Sequence, residues 1–74
     1  MVNEEELSVA AMHRIIKKAG AKRVGESGAK ELARVLEDIG VIIGRDALAF
    51  TMHAGRKTVK GKDVKIAAKK AMNR

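Results

Sequence analysis

The 74-residue chain has no cysteine, no proline, no tryptophan, no tyrosine and a single phenylalanine, Phe50. Without cysteine it can form neither a disulfide nor a thiolate metal site. With one aromatic ring it lacks the stacking surface on which single-stranded nucleic acids are usually held. No apolar run approaches the roughly 20 residues of a membrane helix. The leading Met-Val-Asn-Glu-Glu-Glu stretch has no apolar centre to act as a secretory signal. A soluble, intracellular protein with no membrane partner is the expectation. Acid is scarce as well: 16 Lys and Arg stand against 9 Asp and Glu, for a net charge of +7 and a pI near 10.2. Glu4, Glu5 and Glu6 hold three of the negative charges, which leaves +10 on the other residues. Such a balance points to a polyanionic partner.

The missing proline matters most between Glu26 and Ala54. Ala29, Leu32, Ala33, Leu36, Ile39, Ile43, Ala47, Phe50 and Ala54 recur there at helical spacing on one face. A helix of that length is about 40 Å long, whereas a compact monomer of this size has a diameter of about 30 Å. A second apolar set, Val35, Val41, Ile42, Leu48 and Met52, lies off the first face. A chain this small builds a modest core, and oligomerisation is a common remedy. The middle of the rod, Leu32, Leu36, Ile39, Gly40, Ile43 and Ala47, is therefore expected to meet a second copy. Gly40 and Gly44 have GxxxG spacing, which at Gly40 reads as a close crossing of two long helices.

Around the rod the chain reads as an acidic leader over residues 1–7 and one domain over residues 8–74. Ser8 suits a helix N-cap; Val9, Met12, Ile15, Ile16 and Ala19 then form a stripe ending at Gly20. Ala21-Lys22-Arg23-Val24-Gly25 makes a short basic connection. Past the rod, Ala54-Gly55 and Arg56-Lys57-Thr58-Val59-Lys60 repeat the order of helix end, glycine, cations and valine. A last helix carries Val64, Ala67, Ala68 and Ala71 on one face, with Asp63 near its third position and Lys69, Lys70 and Arg74 at its C-terminal end. The fold class is all-α: short helix, strap, long helix, strap, short helix, with two chains crossing at their centres. His13 and His53 are far apart and without i,i+4 ligand partners, and neither serine has an evident base. Catalysis, a cofactor and a metal are not expected.

Three stretches, Arg14-Ile15-Ile16-Lys17 with Ala19-Gly20-Ala21 and Arg23-Val24, Leu36-Glu37 with Gly40, and His53 through Thr58 with Asp63 and Ala67, resemble the tailless archaeal histones. The resemblance runs from about Leu7 to Lys70. It implies the histone fold and a head-to-tail handshake dimer, of two copies or of this chain with a paralogue. Such a dimer wraps double-stranded DNA, and the protein would sit on the chromosome or nucleoid. Arg14 and Arg23 would then enter the minor groove, Thr58 would steady the strap arginine, and Lys57 would contact phosphate, helped by Lys17, Lys22 and Lys60. Arginines so placed read groove width rather than base identity, so sequence specificity would be low. The resemblance also pairs Arg56 with Asp63 within a chain, and places Phe50, His53, Asp63 and Ile66 where dimers meet to form tetramers or longer arrays. Gly20 would be the small residue that lets stacked superhelical turns approach.

The chain departs from that family at a few positions. Val41, Ile42 and Met52 stand where relatives usually carry charge, and Lys65 where many carry an acid that pairs with a cation on the long helix, here Arg34. Repulsion between Lys65 and Arg34 would weaken long stacked superhelices. The exposed apolar residues leave a second reading open, a histone-fold subunit of a heteromeric transcription or other complex. A third, a small basic RNA-binding protein, predicts a preference for RNA and a stable monomer.

Overall fold

The computed structural model describes residues 7–72. The acidic run Glu4–Glu6 and the terminal Arg74 lie outside the described residues. Three helices follow one another, α1 (Val9–Lys18), α2 (Glu26–His53) and α3 (Gly61–Met72), with no strand among the described residues. The contacts divide the chain into two compact units at Asp38, inside α2.

Local chemistry sets each helix end. The Ser8 hydroxyl accepts the Ala11 N–H at 3.0 Å, which satisfies one of the free donors at the start of α1. Both glycines anticipated after helices adopt positive φ, +118° at Gly20 and +76° at Gly55, a region that favours glycine. After α1, the Ala21 and Gly20 N–H groups donate to the Ile16 and Lys17 carbonyls. After α2, the Arg56 and Gly55 N–H groups donate to Thr51 and Met52 in the same pattern. The internal repeat is therefore one cap used twice, the Schellman arrangement. At the start of α3, Asp63 is the third residue and its carboxylate accepts the Lys60 N–H at 2.9 Å, the acidic half of a capping box.

In the first unit Met12 (4% exposed) packs with Ala29 and Ala33, and Leu7, Val9, Ala11, Val24, Leu32 and Leu36 close round them. Leu7 thus belongs to the packed body rather than to a leader. It precedes the N-cap, where an apolar residue packs back toward the fourth helical position, here Met12. In the second unit the buried residues are Ala47 and Thr51 of α2 and Asp63 and Ala67 of α3, each pair four apart and so on one face. Ala47, expected at the dimer centre, is fully covered by its own chain, so a partner adds nothing to its burial. Val64 and Ala71 lie exposed, and α3 turns Asp63 and Ala67 inward in their place.

The core is slight. Its five buried apolar residues are Met12 and four alanines, whereas Ile15, Ile39, Val41, Ile42, Leu48, Met52, Val59, Val64, Ile66 and Met72 are all more than 40% exposed. Of the other residues expected at the dimer centre, Leu32, Leu36 and Ile43 are half-buried and Gly40 is exposed. Ile39, Ile42, Ile43, Ala71 and Met72 line a shallow apolar hollow in the second unit. No atom of the chain lies within 4 Å of where a Cβ would stand at Gly40 or Gly44. Oε2 of Glu37 is covered and has no hydrogen-bond partner among the described residues; a buried carboxylate oxygen left so is costly.

Candidate nucleic-acid interface

The first strap leaves the Gly20 cap and reaches α2 at Glu26. Its Val24 is half-buried against the Met12 cluster while Lys22 and Arg23 stay exposed. An inward valine beside outward cations fixes which way the basic side chains face. Arg14 and Lys17, three apart on α1, are exposed and border a hollow with Ala11, Ile15 and Lys18. The His13 Nε2 lies 3.8 Å from Glu26 Oε1, which ties α1 to the start of α2. This unit gathers Arg14, Lys17, Lys22 and Arg23, and among the described residues none of them forms an ion pair.

The second strap is held by a denser polar cluster. Arg56 Nη2 donates to Asp63 Oδ1 at 2.8 Å and Nη1 to Oδ2 at 3.0 Å, the bidentate geometry that gives strong charge-assisted bonds. Nη1 also donates to the Thr58 carbonyl at 3.1 Å, so within one chain the arginine that Thr58 meets is Arg56. Asp63 Oδ2 further accepts the Lys60 N–H and, at 2.8 Å, the Thr51 hydroxyl. Arg56 above all, then the Lys60 N–H and the Thr51 hydroxyl, holds the Asp63 carboxyl well below the usual carboxylate range against the opposing effect of burial. The same pair raises Arg56. Lys57, Thr58 and Lys60 project from this cluster, exposed.

Three other expected roles meet local facts. Gly20 is required by its own helix cap, and a Cβ there would touch nothing within 4 Å; its φ accounts for the glycine without any stacked turn. Replacing Gly20 by alanine should destabilise the fold by about 1–2 kcal/mol and leave DNA affinity at low temperature unchanged, as thermal melts beside a binding titration would show. Arg34 is countered on its own helix by Glu31 and Asp38, three residues before and four after it, so a repulsive Arg34–Lys65 meeting would be softened. Of the four residues assigned to contact between dimers, His53 and Ile66 are exposed and Phe50 is half-buried. Asp63 is only 3% exposed and engaged within its own chain.

Thr51 went unremarked in the sequence. It is fully buried, and its carbonyl and hydroxyl both bond the second strap. The available signal was a lone alcohol on the face of α2 that carries Ala47, but its partner Asp63 lies 12 residues on.

Residues 5–68 match the family described as histone-like transcription factor (CBF/NF-Y) and archaeal histone. The chain is 52% identical over 64 residues to the archaeal histone HAN1 of Thermococcus zilligii, covering 86% of this chain and 96% of that one. It is 52% identical over 62 residues to probable archaeal histone 3 of Methanocaldococcus jannaschii, covering 84% and 92%. Histone H4 of Dictyostelium discoideum is 37% identical over 60 residues, covering 81% of this chain and 56% of that histone.

Proposed function

From the premise that the chain belongs to the family of histone-like transcription factors and archaeal histones, we propose that it is an architectural DNA-packaging protein, not an enzyme. Its dimers wrap double-stranded DNA with little sequence preference, and the protein resides on the chromosome. The observation that carries this reading is the pair of exposed basic straps, each fixed by a helix cap and an inward anchor, Val24 in one and Arg56 in the other. Phosphate neutralisation dominates such binding, and it profits from cations held on rigid elements. Arg14 and Arg23 enter the minor groove, and Lys57 with Thr58 grips the backbone. Lys17, Lys22 and Lys60 add to the field.

The dimer follows from the slight core. The exposed Ile39 and the half-buried Leu32, Leu36 and Ile43 are covered by the partner's long helix, which crosses closely at the open face of Gly40. A donor from the partner also answers the unpaired Glu37 oxygen. In the dimer the first strap of one chain lies beside the second strap of the other.

Arg23→Ala and Lys57→Ala should each weaken binding to unrelated DNA sequences alike, and lower the slope of log affinity against log salt by about one. Slopes equal to the parent's would remove those residues from the interface. Dimers join further through Phe50, His53 and Ile66, with Asp63 behind them. Phe50→Ala or His53→Ala should therefore keep the dimer folded and shorten the DNA protected from nuclease; unchanged fragment lengths would exclude that contact.

The exposed Val41, Ile42 and Met52 favour one second reading, a component of a mixed complex that needs a different histone-fold partner. That reading requires the chain alone to be unfolded or aggregated.

A further inference from the structure

Arg56, Thr58, Lys60 and Asp63 all lie within one eight-residue stretch, and their hydrogen bonds join the strap to itself and to the first turn of α3. Those bonds give the strap a shape but do not attach it to the long helix. Thr51 does so twice. Its carbonyl accepts the Arg56 N–H at 3.0 Å, and its hydroxyl lies 2.8 Å from Asp63 Oδ2 and 2.9 Å from the Ala47 carbonyl. One proton serves two acceptors, and the ionised carboxylate is the stronger.

The residue choice is informative. A threonine inside a helix is less favourable than alanine, and a fully buried hydroxyl is costly unless bonded. Both local preferences would place an alanine here, as at Ala47. A local rule broken inside an otherwise consistent helix often marks a functional demand.

We infer that Thr51 is a positioning residue for the DNA-binding strap: its hydroxyl orients Asp63, Asp63 holds Arg56, and Arg56 fixes the Thr58 carbonyl, so that Lys57 and Thr58 meet phosphate in one prepared conformation. The inference rests on the proposed role of that strap. Thr51 does not touch DNA. It removes the conformational freedom that binding would otherwise have to freeze.

The test compares Thr51→Ala, Thr51→Val and Thr51→Ser in the full-length chain, with Lys57→Ala as reference. Each is titrated with a duplex DNA of mixed sequence over a range of salt, at a temperature where circular dichroism shows all of them folded. Alanine, the better helix former, keeps the comparison open if valine does not fold, since alanine and serine both lack the threonine methyl. Serine should bind within about twofold of the parent with the same salt slope. Alanine and valine should bind about fivefold more weakly, with slopes lower by about one. A residue that merely stabilised the fold would leave affinity and slope unchanged under these conditions. Parental binding by the alanine and valine variants, with Lys57→Ala weakened, would overturn the role of Thr51 alone. Parental binding by all of them, Lys57→Ala included, would overturn the strap's role and this inference with it.

Discussion

Ile43→Glu should leave the chain largely unfolded at micromolar concentration, with its helical circular dichroism lost, while Val41→Glu should melt within a few degrees of the parent. The two positions are two residues apart on one helix and so point to nearly opposite sides. Val41 is 53% exposed. Ile43 is half-buried and borders the hollow that Ile39, Ile42, Ala71 and Met72 share. A carboxylate at Ile43 would be taken out of water, unpaired, when the second chain docks, at a cost of several kcal/mol. Net stability in a domain of this size is about 3–5 kcal/mol from a single core, so one such charge is enough to unfold it. Folding of both variants would show that the Ile43 face is not the one the partner covers.

Asp63→Asn should lower the melting midpoint at neutral pH by roughly 10 °C and flatten the loss of stability in acid. The folded chain holds this carboxyl well below its ordinary value, chiefly through Arg56. The unfolded chain releases the proton near pH 3.9. A carboxyl depressed on folding stabilises the native state fully above that pH, and the contribution is lost progressively as pH falls below it. The parent should therefore lose stability steeply between pH 5 and pH 3, and the asparagine variant much less. Parallel melting curves against pH would show that the Asp63 cluster does not govern acid stability. Glu31, also lowered by its Arg34 partner, is fully exposed and adds little.

Capping was the most legible part of the fold, because the Ser8 side chain, the two glycines and Asp63 each declare a helix end within three or four residues. The rod's apolar face was legible for the same reason, since periodicity is local. What periodicity does not distinguish is which neighbour covers a given residue. Ala47 sits on the same stripe as Ile43, yet α3 of its own chain buries it, because alanine beside Ala67 and Thr51 lets the two helices approach closely. Leu7 was hidden by its acidic neighbours, although its place before the N-cap carried the signal. Thr51 was hidden by distance along the chain, as its hydroxyl acts on a residue one helix away. The basic straps were visible as charge; their orientation depends on the inward Val24 and on the Arg56–Asp63 clasp, of which the resemblance supplied the clasp.

A partner chain, on this account, completes a core that one copy leaves as Met12 and four alanines. Thermal melting of the purified chain over a thousandfold range of concentration, with sedimentation equilibrium on the same samples, tests this most directly. The account predicts a midpoint that falls steadily on dilution, with folded material always of dimer mass or larger. A dilute chain that sediments as a folded monomer, with a midpoint independent of concentration, would contradict it.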